Sequence, residues 1–156
     1  MPFDEGVRAI VLRTAALLLI VAFAACHENQ PAARPDTPRL VAGVTMRDVT
    51  FRSDSLKRDM PYRVILPREI PSGKRLPVVY LLHGGGADYR QWSNDSDVSR
   101  FAERGLILVM PEGGSSYYTN AADRPDDRFE DYIVHDLIAD VESRFPAASE
   151  RRSRAI

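Results

Sequence analysis

The sequence predicts an α/β domain with a mainly parallel sheet and flanking helices, and three observations carry that expectation. VVYLL at 78–82 and LILVM at 106–110 are apolar at every position, as befits strands buried on both faces of a parallel sheet. Residues 92–104 and 129–145 carry helical patterns, the second placing Phe129, Ile133, Leu137, Val141 and Phe145 at steps of four. Strand and helix alternate in that order, which predicts parallel neighbours joined by right-handed crossovers.

The remaining elements follow along the chain. Residues 44–51 (VTMRDVTF) are β-branched and roughly alternating, and residues 62–66 (YRVIL) form a second strand closed by Pro67. These two are expected to pair antiparallel. Pro71, Ser72, Gly73 and Pro77 make a loop before the third strand. The helix over 92–104, with Trp92, Val98, Phe101 and Ala102 as its apolar positions, ends at Gly105, a residue suited to a C-cap. Pro111 stops the fourth strand, and Glu112 to Asp127 read as loop. Pro146 ends the last helix, and Ser153-Arg154-Ala155-Ile156 look like the first half of a further strand.

Composition narrows the function classes. The chain has 156 residues, 44% hydrophobic and 28% charged, with 21 basic and 22 acidic side chains and a formal net charge of −1. There is no basic face to displace counterions from phosphates, so a nucleic-acid partner is not expected. Aromatics at 8% and eleven prolines exclude a collagen-like or disordered polymer, since enough apolar surface is present to offset the ordering entropy.

The first segment has Arg8 and Arg13 followed by an uncharged run over 14–25. That run is short for a membrane span, which needs about 20 apolar residues, and suits a signal h-region of roughly 7–15. Phe23-Ala24-Ala25-Cys26 resembles a bacterial lipobox, which predicts cleavage after residue 25 and lipid attachment at Cys26. Export and anchoring to the bacterial cell envelope through that lipid alone are then expected. Signal cleavage without lipid, or Cys26 as a buried thiol, are the plainer alternatives. Cys26 is the sole cysteine, so no intrachain disulfide can form. Residues 26–39, Pro-rich and polar, read as a tether, and residues 40–156 as the domain.

His83-Gly84-Gly85-Gly86 directly follows the buried third strand. A glycine-rich loop there lets backbone N–H groups face a ligand without side-chain obstruction. Donors fixed in advance stabilise the charge that develops on a carbonyl oxygen during acyl transfer, and losing one costs about 10²–10³ in rate. The blocks VVYLLHGGGADYRQW, LILVMPEGGSSYYTN and FEDYIVHDLIADVESRF, in this order, resemble the esterase D-type α/β-hydrolases, a group that includes S-formylglutathione hydrolases, feruloyl and acetylxylan esterases and mycolyltransferases. The resemblance covers about residues 44 to 156 and implies the N-terminal half of an α/β-hydrolase fold. It also implies that the backbone N–H of Gly85, with Gly86 as a further candidate, forms half of an oxyanion hole.

The resemblance requires a Gly-x-Ser-x-Gly turn that this sequence does not contain. Gly114-Ser115-Ser116 comes nearest, but Tyr117 stands where the second glycine belongs. Because the α/β-hydrolase triad runs Ser, acid, His along the chain, no residue here is expected to be a catalytic triad member. His83 is expected to be structural, and His135 and the carboxylates Glu130, Asp131, Asp136 and Asp140 to lie on a solvated helix face. No metal and no cofactor are expected, as no ligand spacing supports one. Trp92, Tyr117 and Tyr118 either line a pocket for an aromatic or sugar ester or serve packing. The expectation is thus the N-terminal portion of an exported, lipid-anchored serine esterase, cut before its nucleophile turn, inactive alone, and acting on a small-molecule or carbohydrate-linked ester. A non-catalytic lipoprotein that uses a hydrolase-like half-domain for binding is the alternative.

Overall fold

The computed structural model of the protein describes residues 35–156. The expected signal segment, Cys26 and most of the tether lie outside the described residues. Five strands form one sheet: β1 (Val44–Ser53), β2 (Arg58–Pro67), β3 (Val78–Tyr80), β4 (Ile107–Pro111) and β5 (Arg154–Ala155), in the order β1-β2-β4-β3-β5. β1 and β2 form the expected antiparallel hairpin, in register from Val44 opposite Pro67 to Ser53 opposite Arg58. β2 runs antiparallel to β4, while β3 runs parallel to both β4 and β5. The sheet is therefore mixed, with its parallel part carrying the two all-apolar strands.

The period-2 geometry of β2 and β4 divides the core into two faces. On one, Tyr62, Val64, Val78, Tyr80, Ile107 and Val109 pack against the C-terminal helix. On the other, Ile65, Leu108 and Met110 meet Val98 and Ala102. β4 is buried throughout and β3 nearly so, which is why neither carries a charged residue, whereas β5 at the sheet edge carries Arg154.

The single helix expected over 92–104 is two short ones, α1 (Gln91–Asp95) and α2 (Ser99–Glu103). Ser96 between them is extended, with φ −144° and ψ 168°, and its hydroxyl donates to Trp92 O at 2.5 Å. Asn94, Asp95 and Ser96 are residues whose side chains compete with the helical backbone, so a break there is physically reasonable.

The long helix shows a subtler departure. It consists of α3 (Phe129–Asp131), a π-helical stretch (Tyr132–Leu137) and α4 (Ile138–Arg144). Four residues turn an α-helix by about 400°, so an apolar row at strict steps of four drifts roughly 40° per step. Over residues 129–145 that drift would carry the row off the sheet. The wider π turns reverse it, and Phe129, Ile133, Leu137, Val141 and Phe145 are all buried.

The acidic residues of this helix are not simply solvated, which corrects the sequence expectation for three of four. Asp140 accepts from the Tyr62 hydroxyl at 2.6 Å, and Asp131 accepts from Asn120 at 3.1 Å and from Arg128. Asp136 accepts from the Ser53 hydroxyl at 2.6 Å and from Ser55 N–H at 2.8 Å, tying the β1–β2 turn to the π stretch. Only Glu130 and His135 are exposed as expected. Helical spacing could not show this for Asp136 and Asp140, because they meet donors 78 to 83 residues away. Burial pushes the Asp136 carboxyl up, but the Ser53 and Ser55 hydrogen bonds outweigh it and hold the group below its usual range. A depressed folded value means this contribution is present above about pH 4 and lost as pH falls through the folded value. Asp136→Ala is expected to cost about 1–3 kcal/mol, from the buried hydroxyl left unpaired, measured by urea denaturation at pH 7. The difference from the parent should shrink as the measurement is repeated toward pH 3.

Packing of the domain begins at Asp36, four residues before the boundary that composition suggests. Arg63, fully buried in β2, holds that segment: its guanidinium donates to both Asp36 oxygens at 2.9 and 2.7 Å. The same group donates to both Asp48 oxygens at 2.7 Å and to the Ser93 hydroxyl at 2.9 Å. Arg39 N–H then donates to Ser93 O at 2.7 Å, and the Ser99 hydroxyl donates to Arg39 O at 2.9 Å. The lead-in segment is thus laid along α1 and α2.

Candidate active site

Open α/β sheets present ligands at the carboxyl ends of their parallel strands. There, β3 runs into His83-Gly84-Gly85-Gly86 and β4 into Glu112-Gly113-Gly114. The His83 ring joins the two loops. Gly113 N–H donates to Nε2 at 3.0 Å, so Nε2 is the unprotonated nitrogen and Nδ1–H donates to Gly84 O at 2.9 Å. With both nitrogens engaged and its side chain 1% exposed, His83 shapes the loop.

Two residues the sequence reading did not single out complete this frame. Glu112 Oε1 accepts from Gly113 N–H at 3.1 Å and Gly114 N–H at 2.7 Å, and Oε2 accepts from Tyr89 N–H at 3.3 Å. Gln91 Oε1 accepts from Gly84 N–H at 2.9 Å. A glutamate after a strand-ending proline and a glutamine opening a helix are common in any sequence, so spacing offered no signal for either. Tyr118 packs edge-on to His83 at 5.7 Å, and its hydroxyl accepts from His83 N–H at 3.0 Å. Burial pushes that hydroxyl up to about 12, so it stays protonated at neutral pH. Trp92 donates through Nε1 to Leu82 O at 2.8 Å, fixing α1 to the end of β3.

The amides that remain open are those of Gly85 and Gly86. Both residues are exposed, and among the described residues no acceptor meets either amide. Gly86 sits at φ +75°, a conformation that a β-branched residue resists. The loop thus offers adjacent N–H donors held by a buried frame, the arrangement that receives a developing oxyanion.

The serines nearby have other work or no partner. Ser116 Oγ donates to Gly113 O at 2.7 Å and accepts from Tyr118 N–H at 3.0 Å, closing the loop. Ser115 is exposed, and among the described residues neither serine is hydrogen-bonded to an imidazole. Tyr117 is 89% exposed. Among the described residues no three His, Cys, Asp or Glu side chains are grouped to hold a metal ion, and no helix is long and apolar enough to cross a membrane.

Sheet order, buried parallel strands and the glycine loop at the end of β3 together define the class: an α/β-hydrolase fold, of which this chain carries the N-terminal part. The Esterase family model, described as "Putative esterase", matches residues 53–156. The chain belongs to that family. It is 25% identical over 122 residues to an acetyl esterase of Caldicellulosiruptor saccharolyticus, covering 72% of this chain and 46% of that one. Its fold matches an S-formylglutathione hydrolase of Agrobacterium tumefaciens with a TM-score of 0.63 at 20% identity, covering 72% of this chain and 48% of that one. A ferulic acid esterase of Anaeromyces mucronatus matches with a TM-score of 0.54 at 19% identity, over 77% of this chain and 50% of that one. The chain therefore spans about half the length of these relatives.

Proposed function

We propose that this chain is the oxyanion-forming part of a serine esterase that hydrolyses carboxylic esters. The observation that carries the reading is the pair of open amides at Gly85 and Gly86, braced by His83, Gln91 and Glu112 at the carboxyl end of β3. In that reaction a serine attacks the ester carbonyl, and its proton passes through a histidine to the departing alcohol. Gly85 N–H, with Gly86 N–H beside it, stabilises the oxygen that becomes negative, together with the amide that follows the serine. The serine, acid and histidine belong to a Gly-x-Ser-x-Gly turn and loops outside these 156 residues. Substrates of the ferulic acid or acetyl ester kind are the ones the relatives' names support.

The 156-residue chain alone is expected to leave p-nitrophenyl acetate at the buffer rate. A protein extended by its downstream coding sequence is expected to turn it over. In that extended protein Gly86→Val should lower kcat by about 10²-fold with little change in KM, since it tilts donors used in the transition state. Turnover by the chain alone that vanishes in Ser115→Ala or Ser116→Ala would overturn the reading.

Export and lipid attachment at Cys26 belong to the same proposal, supported by the charged, apolar and small-residue order of residues 1–26. Palmitate labelling in a bacterial host should disappear in Cys26→Ala. Label that persists in that variant rules the attachment out.

A further inference from the structure

Helix α1 follows the Gly84–Gly86 loop closely and has only five residues. Isolated helices below about 12–15 residues are marginal, so side-chain ties set its position, and these run to two sides. Toward the loop, Gln91 Oε1 accepts from Gly84 N–H at 2.9 Å and Trp92 Nε1–H donates to Leu82 O at 2.8 Å. Toward the lead-in segment, the ties converge on the buried Ser93. Its hydroxyl accepts from Arg63 Nη1 at 2.9 Å and donates to Arg90 O at 2.8 Å, and its carbonyl accepts from Arg39 N–H at 2.7 Å.

Arg63 also supports the stretch that leads from the loop into α1. Its guanidinium lies over the Tyr89 ring at 5.8 Å, and Tyr89 N–H donates to Glu112. The two carboxylates that fix this guanidinium differ in origin. Asp48 belongs to β1 and is held by the sheet, whereas Asp36 lies in no strand. Arg63 Nη1 serves Asp36 and Ser93 together, so the charge-assisted bond to Asp36 orients the donor that reaches α1. Without Asp36, that donor keeps a neutral hydroxyl alone, and Arg39 loses the anchor that seats it on Ser93 O.

We infer that Asp36 is a positioning residue for the Gly84–Gly86 loop: it acts through Arg63 and Ser93 on α1, and α1 holds Gly84 through Gln91. Only the role given to that loop rests on the proposed esterase reading. Trp92 is the sole tryptophan, so its indole N–H gives a single NMR resonance beside that of the Gly84 amide. In the full chain, Asp36→Asn turns an amide donor toward the guanidinium. Both resonances should then shift, and their hydrogen exchange should rise about tenfold. Asp136→Ala serves as the control, since it lowers stability through Ser53 and Ser55 without a bond to Arg63 or α1, and it should leave both resonances in place. In the protein extended by its downstream coding sequence, Asp36→Asn should lower kcat about tenfold with KM unchanged. A Gly84 amide that stays in place in Asp36→Asn, one that moves as far in Asp136→Ala, or an active extended protein whose kcat ignores Asp36→Asn overturns the coupling. Movement of Gly84 in Asp36→Asn, alongside an extended protein that hydrolyses no ester, leaves the coupling standing and removes the esterase reading.

Discussion

Asp36→Ala combined with Asp48→Ala is expected to cost about 3–5 kcal/mol of folding stability, because it strands a buried guanidinium with no carboxylate partner. The Arg63 side chain is 0% exposed, while Asp36 and Asp48 retain 35% and 41% of their exposure. Removing the acids therefore hurts more than removing the base. Arg63→Met keeps the volume, and the two carboxylates it leaves behind can reach water, so its cost should be clearly smaller. Urea denaturation of the three proteins measures the order directly. A result in which Arg63→Met is the more damaging would mean that shape, not charge, holds this part of the core. Burial opposes ionisation of Arg63, but its hydrogen bonds to Asp48 and Asp36 outweigh that and raise it further. The hydrogen bond from Arg63 holds the Asp36 carboxyl below its usual range. A depressed acid stabilises the fold above its unfolded value and loses that contribution as pH falls through its folded value. The lead-in segment should consequently detach in acid, at a pH below about 4, ahead of the rest of the domain. Hydrogen exchange at Arg39 and Val41 is the measurement that would show it.

Gly113→Ala is expected to be the most damaging single change at the site. A Cβ there would lie 2.3 Å from the Tyr118 ring and 2.8 Å from its hydroxyl. The ring cannot swing aside cheaply, since its hydroxyl accepts from His83 N–H and its backbone is already at φ +57°. Overpacking of this kind costs about 1–3 kcal/mol. It should also part Gly113 N–H from His83 Nε2 and loosen the Gly84–Gly86 loop. NMR of the His83 ring reports that change: the parent should show a single ring environment, and Gly113→Ala should show exchange between forms. An unchanged imidazole spectrum would mean that the two loops are not coupled through His83.

The strands were legible because burial on both faces demands an uninterrupted apolar run, and 78–82 and 106–110 supply it. β3 nevertheless ends at Tyr80, where the chain leaves the sheet to form the loop, although Leu81 N–H still donates to Val109 O at 2.8 Å. The long helix was legible from its steps of four, yet its π stretch was not named, since only the sheet dictates which face must stay buried. At the site, His83-Gly84-Gly85-Gly86 was readable because local backbone freedom has a compositional signature. Glu112 and Gln91 were not, as acidic and amide side chains beside a loop carry no such signature, and Glu112 reaches Tyr89 N–H only because β3 and β4 lie side by side. Tyr118 was readable only as a pocket or packing residue, and it packs on His83.

By itself the amino-acid sequence determined the class of fold, the antiparallel entry and parallel centre of the sheet, and the glycine loop at the carboxyl end of β3. These depend on periodicity and on backbone freedom, which are properties of neighbours in the chain. Only the tertiary structure decided that a buried arginine clamps the lead-in segment and that His83 holds its proton on Nδ1. Those depend on the distance between groups far apart in sequence, which hydrogen bonding and packing set once the chain has folded.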